Sequence, residues 1–336
     1  MRAIVITSPG GPEVLREQEL PTPSAGPGFV VVRVRAFGLN HAEVYFRRGL
    51  WGEVARVTGI ECVGEVHDAG DGALPVGTRV LALLGGMGRS IDGSHAEFVR
   101  VPATSVVPVQ TRLDWVDLAA LPESYATAWA FLHHNLAVRD GQTLLVRGGT
   151  SALGQASINV AVERGVRVLA TTRSRGRFEL LEALGALPLL DSSDLGSTVQ
   201  ALVPGGVDAV LDIVGTTTVL DSLRMARHGG RVALAGFLGG GQVLPAMDLL
   251  REFPSGVQLS FLATAFILGT PVLPLSSVPF QEIVGRAEAG RYRARPAHVF
   301  DFEDIVAAHA LMESGQARGK IVVRGKAASR ATEAEG

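Results

Sequence analysis

The chain has 336 residues, 47% hydrophobic and 19% charged, which is typical of a soluble globular protein and excludes a disordered one. Its formal net charge of -2 offers no basic surface for nucleic acid or an anionic membrane, so we expect a small-molecule partner. The single cysteine, Cys62, excludes an internal disulfide, and the N-terminus has no signal-peptide run, so we expect a cytoplasmic protein.

The first part of the chain is predicted to form short strands. Between residues 30 and 107, β-rich runs such as FVVVRVRAFG and CVGEVHDAG are separated by Gly, Pro and Asp turns. This pattern favours a compact antiparallel barrel.

From about residue 118 the pattern changes to helix, and strands and helices then alternate. The strand candidates TLLVRG, VRVLAT, LPLLD, VDAVLDIVG and RVALAGFL are almost continuously apolar, as strands buried on both faces are. Strict alternation predicts a doubly wound parallel sheet, a dinucleotide-type domain over roughly 125–264.

The rest of the chain contains too few elements for a domain of its own. We therefore expect 265–336 to complete the domain formed by 1–124, with a frayed tail over 326–336. The uncharged segment 253–281 is broken by four prolines, and its apolar part is too short to cross a bilayer. It predicts a buried strand and a hydrophobic loop, with no membrane contact.

The run LLVRGGTSALG places a turn of small residues between the first strand of the parallel sheet and its first helix. Amides at such a helix N-terminus bind a pyrophosphate when small residues let it approach. Ser151 stands where the middle glycine of GxGxxG is usual, and a tight connection without a ligand is the alternative. The predicted cofactor-binding residues of this turn are Gly148, Gly149, Thr150, Ser151, Ala152, Leu153 and Gly154.

The second strand ends without the acidic residue that holds the ribose hydroxyls of NAD. Hydroxyls and guanidinium groups follow it instead, and these suit the 2′-phosphate of NADPH. The residues concerned are Thr171, Thr172, Arg173 and Arg177. A solvated basic turn is the alternative interpretation.

The fourth and fifth strands end on the cofactor side of the predicted sheet, where open α/β sheets bind ligands. The residues that we expect to contact the cofactor there are Val214, Gly215, Gly236, Phe237 and Leu238.

Several ordered motifs, among them GLNHAEVYFRRG, GIECVGEV, LPESYATAW, GGTSALG and LMESGQARGKIVV, resemble the medium-chain dehydrogenase/reductase superfamily, specifically its zinc-free quinone oxidoreductase branch. The resemblance covers nearly the whole chain. It implies an α/β fold with a GroES-like β-barrel catalytic domain and an inserted Rossmann domain, and it implies a homodimer. It also places Asn40, Tyr45 and Thr127 around the nicotinamide and substrate as catalytic candidates, and Lys320 near the cofactor. Tyr45 is the candidate polariser or proton donor, although packing of a helix would also explain it.

Zinc-dependent members of this superfamily hold their catalytic metal with a cysteine where this chain has Asn40 and a histidine where it has Ile60. Glu61 and Glu123 remain, and two carboxylates alone seldom bind zinc, so we predict no metal. Without a Lewis acid, reduction of a quinone or another conjugated carbonyl is easier than oxidation of an alcohol. An enoyl-thioester reductase and an NADPH-binding protein without turnover are the alternatives.

Overall fold

The computed structural model describes residues 1–241, 243–244 and 246–326. It divides into two units, Met1–Ala126 with the described residues from Ala265 onward, and Thr127–Thr264. The sequence analysis predicts the first domain boundary after residue 124, slightly earlier than the observed boundary after Ala126. Lys326 belongs to the predicted frayed tail, yet its ammonium pairs with Glu17 at 3.3 Å; the prediction for 327–336 lies outside the described residues.

The strands, in chain order, are β1 (Arg2–Ile6), β2 (Leu15–Glu19), β3 (Phe29–Gly38), β4 (Glu61–Asp68), β5 (Arg79–Leu83), β6 (Phe98–Pro102), β7 (Val106–Pro108), β8 (Thr143–Arg147), β9 (Arg167–Thr172), β10 (Leu187–Leu190), β11 (Val207–Asp212), β12 (Ala226–Leu234), β13 (Gln258–Phe261), β14 (His298–Phe300) and β15 (Ile321–Arg324). The α-helices are α1 (His41–Arg47), α2 (Trp115–Ala119), α3 (Pro122–Ala130), α4 (Ala152–Glu163), α5 (Phe178–Ala183), α6 (Leu195–Leu202), α7 (Val219–Met225), α8 (Thr264–Ile267), α9 (Phe280–Glu288) and α10 (Ile305–Glu313). A π-helical turn, Phe131–Asn135, follows α3.

The first unit is organised around the long strand β3. Its first half pairs with β6, its last residues pair with β15, and β4 runs along its other side. Register shifts between β3 and β4 mark bulges, which bend a strand and let one strand serve several partners. Alternate side chains of β3, Val30, Val32 and Val34, enter the core of this unit.

The second unit is a parallel sheet in which β10, β9, β8, β11, β12 and β13 are neighbours in that order. The chain runs outward from β8 to β10 and then returns to build β11 to β13 on the other side. The order therefore reverses between β8 and β11, which is where such sheets bind ligands. The predicted α/β fold with a doubly wound parallel sheet is confirmed.

The segment 253–281 contains β13, a short strand rather than a buried one. No residue of β13 is fully buried, and Phe261 is 55% exposed, because in the described residues β13 pairs with β12 alone and lies at the sheet edge. Among the described residues, no helix has both the length and the apolar character needed to span a membrane.

Candidate functional site

The turn between β8 and α4 is closed by the side chain of Ser151. This residue is the N-cap of α4: its Oγ accepts from the N–H of Gly154 at 3.0 Å and donates to the carbonyl of Gly148 at 2.9 Å. Gly148 has φ +84°, a left-handed conformation that favours glycine. Ser151 thus replaces the usual middle glycine with a residue that caps the helix.

The cap leaves two amides of the turn available. Within the described residues, the N–H groups of Ala152 and Leu153 have no acceptor, and both residues are half-buried. They lie at the N-terminus of a helix, where the partial positive charge of the helix favours an anion. This arrangement can bind a phosphate group.

Two glycines allow the turn to pack closely against its neighbours. A Cβ on Gly149 would lie 2.9 Å from the Cβ of Ala170, and one on Gly154 would lie 2.5 Å from the carbonyl oxygen of Gly148. Thr150, between them, is buried. Side chains at either glycine would push the helix away from the strand.

Thr171 stabilises this turn through a hydrogen bond to its backbone. It is fully buried, its hydroxyl accepts from the N–H of Gly148 at 3.1 Å, and the same hydroxyl donates to Asp191 at 3.1 Å. Asp191 in turn pairs with the buried guanidinium of Arg147 at 2.7 Å. The almost continuously apolar pattern of β9 could not show that the hydroxyl of Thr171 forms hydrogen bonds inside the protein, or that its acidic partner follows the next strand, β10.

Of the basic residues that follow β9, Arg177 lies beside the turn. Arg173 is exposed and has no ion-pair partner in the described part of the chain, whereas Thr172 is buried and its hydroxyl accepts from Ser174. Arg177 is half-buried, with Nη1 3.5 Å from the hydroxyl of Thr150. Positive charge therefore lies next to the phosphate turn.

The ends of β11 and β12 converge on the same edge of the sheet. A Cβ on Gly148 would lie 3.7 Å from Val214 and 3.8 Å from Leu238, and one on Gly215 would lie 2.5 Å from the carbonyl of Gly236. Phe237 is half-buried beside them. The structure thus brings these sequence-predicted residues together with the turn.

Asp212 fixes the loop that follows β11. It is fully buried and accepts hydrogen bonds from the N–H groups of Val214 and Gly215 and from the hydroxyls of Thr218 and Ser222. Burial raises the pKa of Asp212, and these hydrogen bonds oppose that rise. Asp212, which lies in the predicted strand VDAVLDIVG, is thus a positioning residue for this loop.

Asn40, Glu61 and Lys320 form a buried cluster in the first unit. Asn40 is the N-cap of α1; its Nδ2 donates to Glu61 at 2.8 Å, and its Oδ1 accepts from the ammonium of Lys320 at 2.7 Å. Lys320 also pairs with Glu61, whose other oxygen accepts from the N–H of Glu123 at 2.8 Å. A positive charge from the chain itself therefore occupies the space among these groups.

The other two predicted catalytic residues are Tyr45 and Thr127. Tyr45 is half-buried on α1, with its ring 5.3 Å from and nearly perpendicular to that of His41, and burial raises the pKa of its phenol. Thr127 is buried on α3, in the second unit. Their catalytic roles stay predictions.

Glu43, His95 and His309 form a second buried cluster next to Asn40, which we call the trio. Glu43 accepts from the N–H of Asn40 at 3.1 Å, and its carboxylate lies 3.6 Å from the Nε2 of His95. Burial raises the pKa of Glu43 to about 8 and lowers that of His309 to about 3. We interpret the trio as uncharged at neutral pH.

Within the described residues this trio is also the group whose potential metal-ligand atoms lie within 4.8 Å of one another. A metal-bound histidine normally donates its second N–H to an acceptor. Neither ring nitrogen of His95 or His309 has a hydrogen-bond partner in the described residues. The described residues therefore provide no hydrogen bond that would hold either imidazole ring in the orientation that a bound metal needs.

Acid is expected to destabilise the protein through His309. The folded state keeps this imidazole neutral down to about pH 3, whereas the unfolded chain takes up a proton below about pH 6.5, so stability is lost as pH falls through this window. At pH 5 the loss is about 2 kcal/mol. Glu43 acts in the opposite sense, since its stabilising contribution is lost as pH rises from about 4.5 to about 8.

Urea unfolding at pH 7 and pH 5 checks this expectation. His309→Leu should lose less free energy of unfolding than the wild type between the two pH values, by about 2 kcal/mol. His134→Gln, which changes an exposed histidine, is the matched control and should behave as the wild type does. An equal loss in His309→Leu and the wild type would contradict the assignment.

Comparisons with known proteins match both units. Residues 26–111 match the family model described as alcohol dehydrogenase GroES-like domain, and residues 152–263 match the model described as zinc-binding dehydrogenase. The predicted combination of a GroES-like domain with a Rossmann sheet is confirmed.

Two relatives of similar length are oxidoreductases by name, and one solved structure that is similar to this chain contains NADPH. The quinone oxidoreductase of Rattus norvegicus is 27% identical over 299 residues, covering 86% of each chain. The 2-haloacrylate reductase of Burkholderia sp is 28% identical over 335 residues, covering 96% of this chain and 98% of that one. A solved structure of mycobacterial Rv1454c complexed with NADPH has a TM-score of 0.85 and 27% identity, covering 96% of this chain and 99% of that chain.

Proposed function

We propose that this chain, which belongs to the medium-chain dehydrogenase/reductase superfamily, is an NADPH-dependent reductase that transfers hydride to quinones or other conjugated carbonyl compounds without a catalytic metal. The observation that carries the proposal is the phosphate turn, in which the cap by Ser151 leaves the amides of Ala152 and Leu153 without acceptors in the described part of the chain. The names of the relatives, quinone oxidoreductase and 2-haloacrylate reductase, support a conjugated acceptor.

The described residues of the second unit fit a dinucleotide. The amides of Ala152 and Leu153 would hold its pyrophosphate, and the convergent ends of β11 and β12 would contact its remaining part. Arg173 and Arg177 supply positive charge for a 2′-phosphate. NADPH supplies the hydride when bound, and the NADPH complex of a structural relative supports this choice.

A charge reversal tests the choice of cofactor. Arg173→Glu is expected to raise the KM for NADPH about 30-fold and that for NADH less than threefold, because only NADPH carries the 2′-phosphate that this guanidinium would bind. Arg139→Glu, the same change at another exposed arginine of the second unit, should leave both values unchanged. Equal effects of Arg173→Glu on the two cofactors would rule out the assignment.

Zinc does not fit the position that it takes in zinc-dependent members of the superfamily. The ammonium of Lys320 bonds to both Asn40 and Glu61, and a divalent cation among these groups would meet a positive charge at close range. We expect less than about 0.1 mole of zinc per mole of purified, fully active protein in elemental analysis. Stoichiometric zinc whose removal abolishes activity would contradict this part of the proposal.

The residues of the first unit suit a reaction in which negative charge is delocalised over the acceptor. Burial raises the pKa of Tyr45, so its phenol keeps its proton at neutral pH and can donate to a carbonyl oxygen. Asn40 is held by Lys320 and Glu61, which fixes its amide at the start of α1. We assign Tyr45 as the candidate proton donor and Asn40 as a positioning residue.

The two acceptor classes are separated by one assay. NADPH oxidation is followed without oxygen, in parallel, with an ortho-quinone and with a short trans-2-enoyl thioester. We expect turnover of the quinone. Turnover of the thioester alone would identify an enoyl-thioester reductase. NADPH binding with no turnover of either acceptor would support the remaining alternative, an NADPH-binding protein that is not an enzyme.

We further propose a cytoplasmic homodimer. The exposed side chain of Phe261 and the position of β13 at the sheet edge support pairing of two copies there. Size-exclusion chromatography with light scattering tests the dimer, and a monomer at micromolar concentration would exclude it.

A further inference from the structure

Arg89 is held at the end of a glycine-rich turn in the first unit. Gly85, Gly86 and Gly88 all have positive φ values, of 62°, 95° and 70°, conformations that other residues rarely adopt. The backbone of Arg89 is bonded on both sides, its N–H to the carbonyl of Gly86 at 3.0 Å and its carbonyl to the N–H of Ala55 at 2.7 Å. The turn therefore fixes the backbone of Arg89 and the direction in which its side chain leaves the backbone.

The guanidinium of Arg89 rests on an aromatic shelf, which we define as Trp51 and Phe266. Its Cζ lies 4.7 Å from the centre of the Phe266 ring, and its Nη2 donates to the carbonyl of Ala265 at 2.6 Å. Phe266 stacks on Trp51 with 6.0 Å between ring centres and 15° between planes. Phe266 is nonetheless 56% exposed, so this shelf is open to a ligand.

Among the described residues, the charge on Arg89 has no counter-ion. No carboxylate in the described residues lies within 4 Å of it, and Nε and Nη1 have no protein acceptor there. The nearby carboxylate of Asp92 accepts from the N–H of Val57 and lies 3.8 Å from Arg56 instead. Burial lowers the pKa of Arg89, and no acidic neighbour opposes this shift.

Several other arginines that are withdrawn from water are ion-paired, whereas the half-buried Arg79, Arg100 and Arg231 bond to backbone carbonyls and have no ion pair in the described residues. Arg47 is fully buried against Glu313, Arg147 pairs with Asp191 at 2.7 Å, and the half-buried Arg35 pairs with Glu65 at 2.7 Å. A ligand carboxylate would form charge-assisted hydrogen bonds with the remaining donors of the Arg89 guanidinium, and these are stronger than hydrogen bonds to neutral acceptors. Arg89 differs from Arg79, whose pKa burial also lowers, because the charges of Glu65 and Asp114 raise the pKa of Arg79 and no acidic group does so for Arg89.

We propose that Arg89 and the aromatic shelf bind an acceptor that carries a carboxylate, so that the substrate is a conjugated acid anion. Nε and Nη1 present donors to the carboxylate, and the exposed face of Phe266 packs against the flat conjugated part. The shelf is continuous with α1, because Trp51 also contacts Phe46, the neighbour of Tyr45, at 5.4 Å between ring centres. This inference rests on the proposed function and narrows its substrate class.

The test uses a charged and a neutral form of one acceptor, trans-4-oxo-4-phenyl-2-butenoate and its methyl ester, with NADPH and the full chain. Arg89→Gln is expected to raise the KM for the acid at least tenfold and that for the ester less than threefold. Arg89→Lys, which keeps the charge, should recover part of the loss. Arg16→Gln removes an exposed arginine of β2, a strand that makes none of the contacts of Arg89 or the shelf given above, and should change neither value.

A second measurement does not depend on turnover. The saturated acid, 4-oxo-4-phenylbutanoate, is titrated against the wild type and against Arg89→Gln, with binding read from tryptophan fluorescence, to which the shelf residue Trp51 contributes. We expect saturable quenching in the wild type and at least tenfold weaker binding in Arg89→Gln.

The outcomes separate this inference from the proposed function. If Arg89→Gln changes the KM values of the acid and the ester equally, or the saturated acid binds both proteins equally, the Arg89 site is overturned while the reductase stands. If neither acceptor is reduced but the saturated acid binds in an Arg89-dependent manner, the site stands and the reductase fails.

Discussion

Replacement of Gly154 by alanine is expected to weaken NADPH binding by about 100-fold, equivalent to about 3 kcal/mol. The new Cβ would lie 2.5 Å from the carbonyl oxygen of Gly148 and 2.8 Å from the Cα of Gly149. Both atoms belong to the backbone of the phosphate turn, so the turn must move. Its amides would then no longer converge on one anion.

The same substitution in an ordinary helix would be favourable. Alanine has a higher helix propensity than glycine by about 1 kcal/mol, so a loss of binding cannot come from a weakened α4. Titration of NADPH, followed by its fluorescence, measures the effect. Gly176→Ala is the control, because its Cβ would meet only the hydroxyl of Ser174 at 3.7 Å. NADPH affinity of Gly154→Ala within threefold of the wild type would show that the turn does not bind the cofactor.

Replacement of Lys320 by methionine is expected to lower the free energy of unfolding by about 3–5 kcal/mol. Glu61 is fully buried, and without the ammonium its carboxylate would be left without a cation in a water-excluded position. Asn40 would also lose the donor that holds its Oδ1. Urea unfolding of the purified variant measures the change.

The double variant Lys320→Met, Glu61→Gln provides the control. It removes both charges together, so it should recover most of the stability that Lys320→Met loses. The methionine keeps most of the apolar volume of the lysine side chain, which limits the effect of packing. A destabilisation of the double variant that equals or exceeds the loss in Lys320→Met would contradict an ion pair between these residues.

The phosphate turn could be predicted because all of its signals are local. A buried strand, a run of small residues and a helical pattern follow one another over about a dozen residues, and their order alone places amides at a helix N-terminus. The sequence did not reveal what Ser151 does there, since a missing glycine and an N-cap serine look the same in the motif.

The buried cation could not be predicted, because its partners are remote in sequence. Lys320 is 280 residues from Asn40 and 259 residues from Glu61, and only the pairing of β15 with β3 brings them together. Sequence analysis assigned Lys320 to the cofactor through the resemblance alone. The structure places its ammonium in the cluster with Asn40 and Glu61, and its contact with the cofactor stays a prediction.

The most direct test of the central claim follows the hydride itself. The protein is dialysed against a chelator and supplied with NADPH deuterated at the transferred position and with a conjugated ketone. We predict one deuterium at the β-carbon of the saturated product, with the α-proton taken from solvent, because the β-carbon is where a conjugated carbonyl accepts hydride. A product without deuterium, or NADPH that binds and stays unoxidised with every conjugated acceptor, would contradict the proposed metal-free reductase.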